Sequence, residues 1–167
     1  MVTIRRATVE DADWMQSSFD NRMGWTKPAG YFYNCCLQQA EGQIVLWVAV
    51  DGVDYAGHVK VVWTPHYPYF RDNGIPEIQD LAVLPMYRRQ GIASQLVDAC
   101  ETVMRERSKV AGIGVGLYAD YGPAQRMYIK RGYVPDGNGV TYLDRYVAPG
   151  ESVPVDDDLV LFLVRQL

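Results

Sequence analysis

Glu77-Ile-Gln-Asp-Leu-Ala-Val-Leu-Pro-Met-Tyr-Arg-Arg-Gln-Gly-Ile-Ala93 runs an apolar strand into a short basic turn and then opens a helix. The strand end, Leu81-Ala-Val-Leu-Pro85, stops on a proline, which holds the residue before it extended. Past the turn, Ile92, Leu96, Cys100, Val103 and Met104 recur at helical spacing. Gly91 lets the backbone approach a ligand with no Cβ in the way, and Ala93 keeps the next contact point small. The amides of a first helical turn face an incoming anion, and Arg88 and Arg89 add positive charge at the same spot. The order strand, turn, helix therefore predicts a phosphate cradle over Arg88, Arg89, Gln90, Gly91, Ile92, Ala93 and Ser94. Neither a P-loop nor a dinucleotide-binding glycine pattern occurs in the chain.

Leu81-Ala-Val-x-Pro-x-Tyr-Arg-x-x-Gly-Ile-Ala93 resembles the signature motif of the GNAT acyltransferase superfamily. A second segment, Ala124-Gln-Arg-Met-Tyr-Ile-Lys-Arg-Gly-Tyr133, resembles that family's other marker, a short helix that carries a tyrosine and ends at a glycine followed by an aromatic residue. Pro123 suits the first turn of that helix and Gly132 its stop. One departure stands out: many relatives have an asparagine where this chain has Tyr121, in Tyr-Gly-Pro-Ala124.

The resemblance implies an α/β layered fold: a mixed, mostly antiparallel central sheet flanked by helices, with an acyl-CoA groove at a splay between central strands. It implies acetyl-CoA as co-substrate, no metal, and direct transfer of the acetyl group to a primary amine. Carried over, Leu81 and Val83 supply backbone groups, Leu81 N–H to the thioester carbonyl and Val83 to pantetheine. Tyr128 matches the tyrosine that protonates the departing thiolate, since a tyrosine hydroxyl keeps its proton at neutral pH. The attacking amine arrives as ammonium and needs a base. Glu77, four residues before Leu81 and on its face of a regular strand, is the first candidate and Asp80 the second. Asp80 points to the other face unless a bulge re-aims it, and either carboxylate is equally readable as a surface group. Another donor, such as succinyl-CoA or propionyl-CoA, fits the same motifs, and so does a regulatory module that binds acyl-CoA without turnover.

The remaining composition bounds the reading. With 167 residues, 49% of them apolar, and no linker, the chain is expected to form one domain, residues 1–167. The longest apolar run, Ile44 to Val50, is strand-sized, so no membrane span is expected, and Met1-Val-Thr-Ile-Arg-Arg6 has no apolar core of a signal peptide. The expected location is the cytoplasm. Three cysteines, two of them adjacent, read as small buried hydrophobes rather than disulfides or ligands. A net charge of −4 excludes the general basic footprint of a nucleic-acid binder. A homodimer follows from the resemblance alone.

Along the chain, Val2 to Arg6 reads as a strand, Thr8 as an N-cap and Val9 to Met15 as a helix. Asn21 to Gly30 reads as loop and Tyr31 to Ala40 as a second helix. Ile44 to Val50 and Tyr55 to Trp63 pair around Asp51-Gly52, and Thr64 to Pro76 is loop. Val110 to Ala119 is a strand, Val134 to Val147 a hairpin about Gly137-Asn-Gly139, and Leu159 to Arg165 a final strand. Trp25, Tyr31, Trp63, Tyr67 and Tyr69 fall in two segments that, by the resemblance, flank the acceptor's entrance. They suit an amphipathic or cationic amine, and core packing accounts for them equally. His58, inside a strand, reads as a structural imidazole and His66 as exposed.

Overall fold

The run Ile44-Val-Leu-Trp-Val-Ala-Val50 is rich in β-branched side chains, which pack well on a pleated surface. In the computed structural model, which describes residues 1–167, it is the second strand. In chain order the elements are β1 (Val2–Arg6), α1 (Ala12–Arg22), α2 (Tyr31–Ala40), β2 (Ile44–Asp51), β3 (Asp54–Val62), α3 (Pro68–Asp72), β4 (Glu77–Val83), α4 (Ile92–Met104), β5 (Val110–Gly116), α5 (Gly122–Lys130), β6 (Val134–Tyr142), β7 (Arg145–Tyr146) and β8 (Leu159–Gln166). This is the mixed α/β class expected, with mostly antiparallel strands and flanking helices. Contacts gather the chain into two compact units, residues 1–62 with 78–103, and residues 63–77 with 104–167.

In the first unit the strands lie in the order β1, β2, β3, β4. β2 and β3 form the expected hairpin, with Asp51 opposite Asp54 across Gly52-Val53. Six of the eight residues of β2 are buried, the mark of a strand covered on both faces. Met15, Phe19, Phe32, Leu46, Val48 and Tyr55 share one core with Ala82 and Leu84. A Cβ on Gly57 would run into the carbonyl oxygen of Ala82, so the glycine is what lets β3 and β4 approach here. Cys35 and Cys36 on α2 and Cys100 on α4 are all reduced and buried. Burial pushes the Cys36 thiol up to about 11, with the neighbouring Cys35 adding to the rise.

The expected first helix begins later and runs further than its sequence pattern indicates. Val9–Asp11 is a tight 3-10 turn, capped as Thr8 N–H donates to the Asp11 carboxylate at 2.8 Å. Arg5 holds both oxygens of that carboxylate at 2.7 Å. α1 then continues to Arg22 because Phe19 follows Met15 one turn on and buries on the same face.

In the second unit the order is β5, β8, β6, β7, each neighbouring pair antiparallel. Thr64 to Pro76 is not all loop. α3 forms within it, with Pro68 in its first turn and Phe70 buried. Tyr67 stacks on Phe162 with centroids 3.7 Å apart, and Phe70 meets Phe162 edge-on at 5.2 Å. At Gly112 and Gly116 the Phe70 and Tyr121 rings occupy the space where a side chain would stand, so this packing against β5 requires glycine. The expected hairpin apex at Gly137-Asn-Gly139 is displaced. These residues sit inside β6, where pairing with β8 skips from Pro135↔Leu163 to Val140↔Leu161. The turn itself is Leu143-Asp144, both left-handed at φ 52° and 59°. No helix is long and apolar enough to cross a membrane.

Candidate functional site

β4 is followed by a turn and then α4, the order that the sequence predicts. Leu84 leads into a 3-10 turn at Pro85–Tyr87, closed as Tyr87 N–H donates to Leu84 O at 2.9 Å. Arg89 and Gly91 are both left-handed, at φ 62° and 79°. The first helical bond of α4 is made by Gln95 N–H to Gly91 O at 3.1 Å, so the amides of Ile92, Ala93 and Ser94 precede it at the anion-attracting end of the helix. Apart from Gly91 and its chain neighbours, nothing lies within 4 Å of where a Gly91 Cβ would stand, so the space beside this glycine is open. Arg88 and Arg89 are exposed beside it. Arg88 Nε donates back to Val83 O at 3.2 Å, which engages one of the two Val83 backbone groups expected to meet pantetheine.

Asp80 breaks the regularity of β4. Its φ of 57° is left-handed, and a residue in that conformation interrupts the strict two-residue alternation on which Glu77 and Leu81 were placed on one face. The Asp80 carboxylate is turned into a cluster of donors. Lys27 Nζ donates at 2.7 Å, Tyr31 O–H at 2.6 Å and His58 Nε2 at 2.8 Å. Behind it, Tyr55 O–H lies 2.5 Å from His58 Nδ1, and Lys60 Nζ donates to the Tyr31 oxygen at 3.0 Å. An ionised Asp80 can only accept, so His58 Nε2 carries the proton and Nδ1 accepts from Tyr55.

The electrostatics follow from burial and pairing. Burial alone would raise the Asp80 carboxyl, but His58 and Lys27 outweigh it and hold the group far below the usual carboxylate range. Burial lowers His58 against the opposing pull of Asp80, so the imidazole stays neutral. Burial, with Asp80 adding to it, raises the Tyr31 and Tyr55 hydroxyls, and both keep their protons. Because His58 is lowered on folding, the unfolded chain takes up a proton below about pH 6.5 that the folded chain refuses. Stability from this residue is thus complete above that pH and falls with acid, by up to about 1.4 kcal/mol per pH unit. Urea denaturation between about pH 7 and pH 5 should show this slope, and His58→Gln should flatten it. An unchanged slope in the variant would mean that another group carries it.

The other candidates fall in different places. Glu77 is buried at 7% exposure, at the start of β4. Tyr128 is buried on α5, edge-on to Tyr133 with centroids 6.1 Å apart. Tyr67 is a core ring whose O–H donates to Asp136 at 2.6 Å, with Tyr69 half-buried next to it. The guanidinium of Arg107 covers the Trp63 ring at 4.3 Å. Of the five aromatic candidates, only Trp25 and Tyr31 join the Asp80 cluster, Tyr31 by its own hydrogen bond to the carboxylate and Trp25 through its ring against Lys27. Sequence reasoning missed Lys27, Tyr55 and Lys60 and set His58 aside. The one usable signal was a strand that sets His58 and Lys60, two residues apart, among apolar neighbours; nothing in the spacing links positions 27, 58 and 80. His66 is exposed. No group of three or more His, Cys, Asp or Glu side chains is placed to hold a metal ion.

Comparison with known proteins places this arrangement in context. The model of the acetyltransferase (GNAT) family matches residues 7–133. No curated protein matches the sequence. Among solved structures, Arabidopsis thaliana NAA60 in complex with acetyl-CoA superposes with a TM-score of 0.71 at 17% identity, over 100% of this chain and 99% of that one. A ribosomal-protein-alanine N-acetyltransferase from Brucella melitensis gives 0.71 at 17% identity over 99% of each chain. An N-acetyltransferase from Staphylococcus aureus Mu50 gives 0.71 at 15% identity over 99% and 98%. At these identities the likeness is one of fold.

Proposed function

The chain belongs to the GNAT acetyltransferase family, and we propose that it is an N-acetyltransferase that moves the acetyl group of acetyl-CoA directly to a primary amine while both are bound. One observation carries this reading: the open, arginine-flanked turn at Arg88 to Gly91, with left-handed Arg89 and Gly91, at the N-terminus of α4. That turn suits the pyrophosphate of a coenzyme A. When bound, acetyl-CoA supplies the activated thioester.

The chain's own groups then have separate tasks. Leu81 N–H is assigned to the thioester oxygen, where a preorganised donor is worth about 3 kcal/mol as negative charge develops. Glu77 is assigned as base, taking the ammonium proton directly or through water. Asp80 is a poor base because it is held ionised and already accepts from Lys27, Tyr31 and His58. As the N–C bond forms and the C–S bond breaks, Tyr128 O–H is assigned to protonate the leaving sulfur.

The test is titration calorimetry of acetyl-CoA with the wild type and with Gly91→Asp, followed by release of free CoA thiol in the presence of a panel of amines. Micromolar binding weakened by roughly 100-fold or more in the variant is expected, since the new carboxylate stands where phosphate is held. Absence of wild-type binding sinks the reading. Binding with no thiol release from any amine would make the protein a non-catalytic acyl-CoA module instead.

A further inference from the structure

Lys27 is 8% exposed, and its ammonium sits inside a cage. The ring centroids of Phe19, Trp25 and Tyr31 lie 4.9, 5.0 and 4.3 Å from Nζ, and Asp80 Oδ1 closes the fourth side at 2.7 Å. Three aromatic faces and one carboxylate form a site that selects an alkylammonium over any neutral group. Packing alone does not call for such a site, because a buried ion pair can often be replaced by apolar side chains without loss of stability. The cage also favours the charged form of an amine. It is therefore unsuited to the nitrogen that reacts, which must lose its proton, and suited to a nitrogen that stays charged. Asp80 directly precedes Leu81 in the chain, so the cage lies beside the residue assigned to the thioester.

Building on the N-acetyltransferase reading, and resting on it, we propose that the cage of Phe19, Trp25, Tyr31 and Asp80 is the subsite for a second, non-reacting ammonium of the acceptor. The acceptor is then an unbranched diamine, and Lys27 holds the subsite until the diamine displaces it.

Charge requires the displacement. The cage has one carboxylate, its histidine is neutral, and Lys60 already stands against Tyr31. A second ammonium beside Lys27 would have no counter-charge, whereas one ammonium replacing another leaves the pairing as it was. Lys27 lies between Gly24 and Gly30, left-handed at φ 92° and 73°. That segment is tied down by Lys27 N–H to Asp20 at 3.0 Å and Tyr31 N–H to Pro28 O at 3.1 Å. Trp25, 52% exposed, is the wall of the cage that faces solvent. The lysine stem that now threads the cage is unbranched, and so is the chain that would replace it.

The test compares acetylation of α,ω-diamines of three to six carbons with that of monoamines of the same length. At the best length the diamine should have a kcat/KM at least tenfold higher. Trp25→Ala should bring the ratio near one while the acetyl-CoA Kd is unchanged, and Lys27→Ala should lower the diamine KM. A ratio near one in the wild type at every length, or a ratio that survives Trp25→Ala, overturns the proposal. If no amine is acetylated, the transferase reading is what fails, and the cage is judged by binding alone. n-Butylammonium, the lysine stem without its backbone, should then bind Lys27→Ala at least tenfold more tightly than the wild type and raise its melting temperature, while n-butanol does neither. No such gain overturns the cage as a cation subsite.

Discussion

Asp80→Ala is expected to destabilise the protein by about 3–5 kcal/mol in urea denaturation, because it removes the only carboxylate from a buried cluster of donors. The lost hydrogen bonds matter less than what remains. Lys27 keeps a buried positive charge, and Tyr31 and His58 keep polar hydrogens with nothing to receive them. The double variant Lys27→Met with Asp80→Leu removes both charges and should recover most of the loss. If the single variant costs less than about 1 kcal/mol, the cluster is solvated enough that burial does not govern it.

The second large effect is expected at Gly57. Gly57→Val should cost about 3 kcal/mol or more, above the usual range for an added core methyl. Its Cβ would meet the Ala82 carbonyl oxygen and lie 3.1 Å from Val83 Cα, and backbone cannot step aside as a side chain can. The damage should reach β4 itself, so acetyl-CoA affinity should fall along with stability. Gly57→Ala meets the same oxygen and should show a smaller version of both losses. A variant as stable as the wild type would mean that β3 and β4 separate freely at this point.

What was legible in the sequence was what neighbouring residues determine together. The turn from Arg88 to Gly91, the β2–β3 hairpin and α2 from Tyr31 to Ala40 each announce themselves within a dozen residues, by periodicity or by turn chemistry. α3 was not legible, because Pro68 among aromatic residues looks like loop until Tyr67 and Phe70 are seen to bury against Phe162, which is remote in the chain. The turn at Leu143-Asp144 was hidden for a different reason: it uses left-handed residues other than glycine, while the more conspicuous Gly137-Asn-Gly139 absorbs a slip in register. The site divides in the same way. The half proposed to hold an anion is one continuous segment and could be read, whereas Lys27, His58 and Asp80 come from three segments and are joined only by folding. The left-handed backbone of Asp80, which turns its carboxylate to those partners, has no signature in the alternation of β4.

Burial of all three thiols makes the protein a quiet background for its own assay. Cys35, Cys36 and Cys100 are 2%, 6% and 0% exposed, and burial raises the Cys35 and Cys36 thiols, so little thiolate is presented to a reagent in solution. If the protein transfers acetyl as proposed, colour from a thiol-reactive dye in its native state would therefore report coenzyme A set free by turnover. Under denaturant the same dye changes its meaning: all three cysteines belong to the unit of residues 1–62 and 78–103, and their labelling would time the opening of that half alone.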